Sequence, residues 1–469
     1  MAGISSIASA EETFTLEEIV VTAQQRIEGL QDVPISVSAV SGEKMNEAGI
    51  TNLEGMTAYV PNLTMNQTGI GTIVAIRGIS SGINQGFEQS VGQYVDGIYY
   101  GRAQLARAPM MDMARVEVLR GPQSILFGKN SVAGAVSMHT ARPTDEFEGS
   151  VTALYEPDHG EQDIRVVLSG PITETLSGRL AILDRSIDGY YENTTLNRSE
   201  SAEEENVFRA SLEWEASEDL TVNLKVEDGS FDTKGRFLEI IEPAEIDSNG
   251  LSYSQMLSAL TGGAYELDST HDFKRQSNGD SGSNDTENVT LSIDYDVGDH
   301  TLTFITGYNA YEFDEICDCD FTGASIITAD TTEKFDQYSQ EIRLTSPGGE
   351  TVDYIAGFFY QKSEIDFKDA IRLPTDSLLA TAINASVPLG GFGTSSERTF
   401  TQDSEVMSVF AQATWNISDE TRLTVGGRYT DESKDATRHQ FHTDDTGAVL
   451  PVGAPTDPLN LLYGLFLLE

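Results

Sequence analysis

From residue 146 onward, apolar and polar positions alternate with a period of two. In "NVFRASLEW", Phe208, Ala210, Leu212 and Trp214 share one face, and Arg209, Ser211 and Glu213 the other. "TVNLKVE" sets Val222, Leu224 and Val226 against Asn223, Lys225 and Glu227, and "NVTLSIDY" and "TRLTVGGRYT" behave alike. Successive side chains in a strand point to opposite faces, so these runs read as β-strands with one apolar face. About eleven are predicted, near 147–156, 162–170, 176–189, 204–215, 219–231, 287–297, 300–313, 334–346, 351–365, 403–417 and 420–432. The alternation suits a transmembrane β-barrel, apolar outside and polar inside, but a soluble sandwich alternates in the same way. Link lengths separate the two. "GPITET", "EASED", "DVGD", "TSPGGE" and "NISDE" are short, and the intervening links can be long, notably about 232–286, 314–333 and 366–402. Outer-membrane barrels have short periplasmic turns and longer extracellular loops. A sandwich has no reason to keep that parity.

The first 145 residues read as a small α/β unit of short elements. "EEIVVTA" (17–23) is a β-prone run that could pair with another protein's sheet edge or open the local fold. The residues alone favour the local strand. Thr51 and Glu54 have capping-box spacing before a short helix whose Leu53, Met56 and Val60 share a face, and Pro61 ends it. "TIVAIRGI" is strand-like with a break at Gly78, and "VGQYVDGIYYGR" is a hairpin turning at Asp96-Gly97. "RVEVLRGPQSILFGKNSVAGAV" then predicts a strand, a turn at Gly121-Pro122, a short helix "PQSILF", a left-handed Gly128 and another strand. Its glycines and Lys129 invite comparison with a phosphate loop. That loop needs four residues between its glycine and its Gly-Lys, followed by Ser or Thr. Here six residues separate Gly121 from Gly128, and Asn130 follows Lys129, so spacing and hydroxyl both fail.

Charge sharpens the division. The chain carries −46, from 29 basic and 75 acidic residues, which argues against nucleic acid as a partner. Residues 24–145 are nearly neutral and most of the negative charge follows them. No apolar run approaches a membrane helix in length. Ala8-Ser9-Ala10 suits a signal-peptidase site, so residues 1–16 read as a signal-peptide remnant or a disordered tail. The only cysteines, Cys317 and Cys319, exclude a disulfide framework and a four-cysteine zinc site. A local disulfide between them is the main reading. Asp318 and Asp320 supply too few oxygens for calcium, and His439 and His442 with Asp444 and Asp445 read as a solvated loop. No metal or other cofactor is expected. No nucleophile–base pair has motif spacing, so no enzymatic activity is expected.

The ordered set "EEIVVTAQ…VPISVSAVSGEKM…VPNL…IRGI…VGQYVDGIYYGR…RVEVLRGPQSILFGKNSVAGAVSMHTARP" resembles the plug domain of TonB-dependent outer-membrane receptors over residues 17–143. The resemblance implies a plug (24–145) within a barrel that begins at 146. Plugged transporters close at 22 strands, so eleven strands over 146–469 would be a partial barrel and the chain a fragment. It implies a Gram-negative outer-membrane protein that binds a scarce nutrient, commonly a ferric siderophore, with cobalamin, oligosaccharides and other ligands open. A passive porin or adhesin barrel is the competing class. The implied TonB box is Glu18, Ile19, Val20, Val21, Thr22 and Ala23, facing the periplasm. Its partner would be TonB, with ExbB and ExbD in the inner membrane, and lipid would surround the barrel. Arg77, Arg102, Arg107, Arg115 and Arg120 would sit within an acidic wall, and buried arginines need carboxylates. By resemblance Arg77 and Arg120 pair with barrel glutamates, and Glu341 is the candidate. Ligand contacts are expected from Asn84, Gln85, Phe87, Tyr100 and Arg102.

Overall fold

A computed structural model describes residues 20–22, 24–26, 28–31, 33–67, 72–82, 88–240, 245–246, 251–265, 267–379, 381, 393–418 and 420–450. Up to residue 145 the strands are β1 (Val20–Val21), β2 (Glu28–Gly29), β3 (Ser36–Ser41), β4 (Leu63–Gln67), β5 (Thr72–Ile76), β6 (Ile79–Ser80), β7 (Val91–Val95), β8 (Ile98–Tyr100), β9 (Met113–Arg120) and β10 (Gly134–Thr140). Helices α1 (Gly42–Ala48) and α2 (Leu53–Met56) lie between β3 and β4. The main sheet has the order β3-β9-β10-β7-β8, with only β10–β7 parallel, and β4-β5-β6 form a second sheet. Met45, Leu53, Met56, Leu63, Val74 and Ile76 close over Val91, Val116, Val118 and Val136 in one apolar core.

Local chemistry explains the elements, with three departures from expectation. The cap of α2 is Asn52, not Thr51; its Oδ1 accepts the Gly55 N–H at 2.9 Å. Helix α1 was not anticipated, although Ser41 caps its start and Gly49 ends it in the left-handed region at φ 65°. "PQSILF" makes only one helical turn, closed by Phe127 N–H to the Gln123 carbonyl at 3.0 Å. The Asp96-Gly97 turn has φ of 49° and 84°, the double positive φ of a tight hairpin. Of the 17–23 run, the described Val20 and Val21 enter the local fold, pairing with Gly29 and Glu28.

Eleven strands follow in one antiparallel sheet: β11 (Glu148–Glu156), β12 (Glu161–Pro171), β13 (Leu176–Ile187), β16 (Ala202–Ser217), β17 (Leu220–Lys234), β21 (Ser281–Val297), β22 (His300–Cys317), β23 (Thr328–Thr345), β24 (Val352–Leu373), β25 (Thr394–Ser418) and β26 (Thr421–Asp444). Short strands β14 (Tyr191–Asn193), β15 (Arg198–Glu200), β18 (Glu245–Ile246), β19 (Leu251–Ser252) and β20 (Lys274–Arg275), with helix α3 (Tyr253–Thr261), fill the longer links. The sheet's two faces have opposite chemistry. Phe304 and Tyr308, Tyr338 and Ile342, Tyr354 and Phe358, and Met407, Val409 and Trp415 project away from the plug. The buried face toward the plug carries Asn309, Gln337, Gln361 and Ser404. A soluble sandwich buries its apolar face; this sheet exposes it. On the outward face, Glu312, Asp336, Glu364 and Glu405 follow the apolar band toward the long-loop rim. Several strands run beyond their predicted ends here, because the outward face becomes polar and the alternation fades while backbone pairing continues. Among the described residues, β11 and β26 do not pair with each other. No helix of the described residues is long and apolar enough to cross a membrane, which says nothing of crossing by strands.

Gly128 of the plug lies close against Arg428 of β26. Its φ is +83°, and a Cβ there would lie 3.0 Å from Cζ of Arg428. Gly128→Ala is therefore expected to weaken plug docking by about 1–3 kcal/mol, measured as a lower denaturant midpoint for proteolytic protection of the plug. Gly427→Ala, whose added carbon meets nothing within 4 Å, should leave that midpoint unchanged.

Candidate functional site

The seam between plug and sheet is held by charges exchanged in both directions. Arg102, at the end of the β8 hairpin, is buried and donates to Glu333 Oε1 from Nε at 2.9 Å and Nη2 at 2.6 Å. Tyr311 donates its hydroxyl to the same carboxylate. Tyr100 donates to Asn288 Oδ1 at 2.8 Å. In the reverse direction, Arg179 of β13 grips Asp112 with two hydrogen bonds of 2.7 Å. Lys225 of β17 binds Asp96 in the hairpin turn, and the Asp96 carboxylate also accepts the N–H and hydroxyl of Thr140. Backbone carbonyls share the load: Gln337 donates to Tyr99 O at 2.7 Å and Arg209 to Met111 O at 2.7 Å. A buried polar face is tolerable only when it is hydrogen-bonded, and the plug supplies these partners.

The expected pairing of Glu341 with Arg77 or Arg120 is not present among the described residues. Glu341 forms an ion pair with Arg343 at 2.6 Å. Arg120 donates within the plug, to the carbonyls of Pro61 at 3.2 Å and Val37 at 3.4 Å. Arg77 is exposed, with φ of 53° in the turn before Gly78. Two plug arginines meet sheet glutamates among the described residues: the buried Arg102 meets Glu333, and the more exposed Arg142 lies 3.5 Å from Glu213. Glu333 shares the inward face of β23 with Glu341, eight residues further along. Alternation showed that face without showing how deep the plug sits. Tyr100 and Arg102, expected at the ligand, are instead occupied by the sheet. Asn84, Gln85 and Phe87 lie outside the described residues, as do Glu18, Ile19 and Ala23.

Thr22 is clasped to the plug sheet. Its N–H donates to Glu117 Oε1 at 2.8 Å, and Arg115 bridges Glu117 (2.7 Å) and the Thr22 hydroxyl (2.8 Å). Glu117 is fully buried and Val21 is buried beside it. Arg26 reaches the short-turn rim, donating to Ser346 Oγ at 2.9 Å and the Tyr354 carbonyl at 2.7 Å. At the other rim, Cys317 and Cys319 are joined in a disulfide around the buried Asp318. Among the described residues, no cluster of three or more His, Cys, Asp or Glu side chains is placed to hold a metal ion.

Lys129 of the glycine-rich stretch bridges Glu88 at 2.8 Å and Glu432 of β26 at 2.6 Å. Burial alone would raise the Glu88 carboxyl, but Lys129, Lys434 and Asn130 outweigh it and hold it at about 2. Because this folded value lies below that of the unfolded chain, its contribution is present above about pH 4.5 and is lost as pH falls toward 2. Hydrogen exchange at 128–131 should therefore stay slow down to about pH 4.5 and quicken below it. Glu88→Gln should abolish that pH dependence.

Comparison with known proteins agrees with this geometry. Residues 29–135 match the TonB-dependent Receptor Plug Domain, and residues 245–464 match the TonB dependent receptor-like beta-barrel. The pesticin receptor of Yersinia enterocolitica is 24% identical over 444 residues, covering 92% of this chain and 58% of the relative. The ferrioxamine B receptor of Salmonella typhimurium is 24% identical over 230 residues, covering 46% of this chain and 31% of that protein. The ferric yersiniabactin uptake receptor of Yersinia pestis superposes with a TM-score of 0.67 at 19% identity, over 87% of this chain and 61% of its own. The ferripyoverdine receptor of the Pseudomonas aeruginosa outer membrane gives 0.66 at 17%, over 92% and 56%. These two likenesses are of fold. The chain thus spans less than two thirds of the length of these relatives. The family consists of receptors, not enzymes. The chain belongs to the TonB-dependent receptors of the Gram-negative outer membrane, with their plug fold lodged against strands of their barrel.

Proposed function

We propose that this protein binds a ferric siderophore outside the cell and admits it past a plug that TonB displaces. The observation that carries this reading is the Thr22 clasp. The segment that would be pulled is hydrogen-bonded directly to Glu117, in the central part of the plug sheet. Force applied at residues 18–23 would therefore reach β9 without passing through a flexible linker. A relative named as a receptor for ferrioxamine B, and a fold neighbour named as a ferric yersiniabactin uptake receptor, support a siderophore class of ligand. In this reading residues 17–23 couple to TonB, 24–145 form the plug and 146–469 contribute barrel strands. Free strand edges cannot face lipid, since their N–H and C=O groups would be unpaired. In this reading the strand edges that do not pair with each other among the described residues are shielded from lipid.

Deleting residues 18–23 should abolish energised uptake of the ferric ligand in cells that depend on this receptor, with surface binding retained. Unchanged uptake would instead favour a passive barrel. Arg102→Met or Glu333→Leu alone should each cost about 3–5 kcal/mol of plug docking, since each strands a buried charge. The double substitution should recover much of that loss, and a denaturation cycle over the four proteins measures the recovery.

A further inference from the structure

Three connections at the long-loop rim bring aromatic rings together, away from the apolar band. His159 comes from the β11–β12 turn, Tyr190 and Tyr191 from the start of β14, Phe237 from beyond β17, and His271 and Phe273 from just before β20. Tyr190 lies at the centre. Its ring centroid is 5.1 Å from Tyr191, 5.9 Å from His159 and Phe237, and 6.2 Å from Phe273. Phe273 is in turn 5.7 Å from Tyr191 and 6.1 Å from His271. If these rings served only to hold the loops together, they would face inward. Tyr191 does, but Tyr190 is 38% exposed and Phe273 54%. These two rings keep part of their surface open to water.

The rings sit in a negative field. Burial, then Tyr191, Glu203 and the plug's Glu54, push the Tyr190 hydroxyl up to about 12; burial and then Glu239 raise that of Tyr191. The Glu239 carboxylate is fixed by the N–H groups of Asp272 at 3.0 Å and Phe273 at 2.7 Å, with His271 Nε2 at 3.2 Å. It also lines a cavity of about 160 Å³ beside Leu238, Asp268 and Phe321. Neighbouring cations are already engaged: Arg275 with Asp280 at 2.6 Å, Arg198 with Glu200 at 2.9 Å and Lys274 with Glu192 at 3.5 Å. An aromatic face attracts a cation through its quadrupole, and surrounding carboxylates strengthen that attraction and repel anions.

We infer that this aromatic platform is an outer capture site for a cationic ligand, and that the cargo is a metal chelate bearing an ammonium group. The inference rests on the uptake reading above and narrows its substrate class. Purified protein would be titrated with a ferric trihydroxamate carrying a free ammonium group and with its N-acetylated neutral counterpart. The ammonium form should bind about tenfold more tightly at low ionic strength, with the gap narrowing as salt screens the carboxylates. Tyr190→Leu with Phe273→Leu keeps the apolar packing but removes the quadrupole, and it should close most of the gap without weakening the neutral complex. Equal binding of the two complexes, or a gap untouched by the leucines, overturns the inference and leaves ferric-chelate uptake standing. If neither complex binds, the inference falls, and the uptake reading is judged by the 18–23 deletion alone.

Discussion

Much of the sheet's inner face is polar, and seating the plug depends on meeting its charged groups out of water, beside an apolar contact in which Ile305, Phe313, Phe335 and Phe367 pack with Ile98 and Leu105. An amide or carboxylate placed there without a partner costs more than a typical hydrogen bond returns. The plug supplies the partners, and it does so with charges of both signs. Arg102 enters the wall, while Arg179 and Lys225 leave it to reach plug acids. A neutral plug inside an acidic sheet is therefore not held by one sign of charge attracting the other. It is held by local exchanges, each close enough to be specific. The reciprocity also explains why the plug can be nearly neutral: its acids at Asp96 and Asp112 do as much to seat it as its arginines.

Much of the architecture was legible because burial on one face imposes a period of two, and that period survives along the membrane-facing part of most strands. All eleven strands and the parity of their links follow from it. The exceptions have physical causes. Helix α1 has capping signals at Ser41 and Gly49 but is too short to show a repeating apolar stripe. Helix α3 carries a full capping box of Ser252 and Gln255 inside a link that otherwise reads as a loop. In the seam, the inward face of β23 was evident, but Glu333 and Glu341 are equivalent by alternation. Only docking depth distinguishes them, and that depth is set by where the β8 hairpin ends. Lys129 stood out for its glycine neighbours, yet its role comes from Glu88 and Glu432, the latter more than three hundred residues away.

The long links are more than connectors. Strands β14, β15 and β20 pair across two of them, and α3 packs Leu257 against Ala324, Ile326 and Ile327 of a third. Buried polar groups knit this layer together: Arg275 and Asp318 both bond to Asp280, and Asn278 bonds to Asp318. Such a layer can present side chains in fixed relation, as the rings around Tyr190 require. Free loops would lose that arrangement to conformational entropy.

The outward face of the strands has a consequence for how the protein sits in its bilayer. On four successive strands the apolar positions give way to Glu312, Asp336, Glu364 and Glu405 as the chain climbs toward the long-loop rim. Sinking the sheet by one outward position, two residues or about 7 Å, would draw this collar of carboxylates toward hydrocarbon at a cost that accumulates strand by strand. Rising by the same amount would lift Trp214, Tyr295 and Trp415 from the opposite boundary. The alternation that builds the strands thus also acts as a depth gauge, fixing the protein's height in the membrane to within about a single pleat.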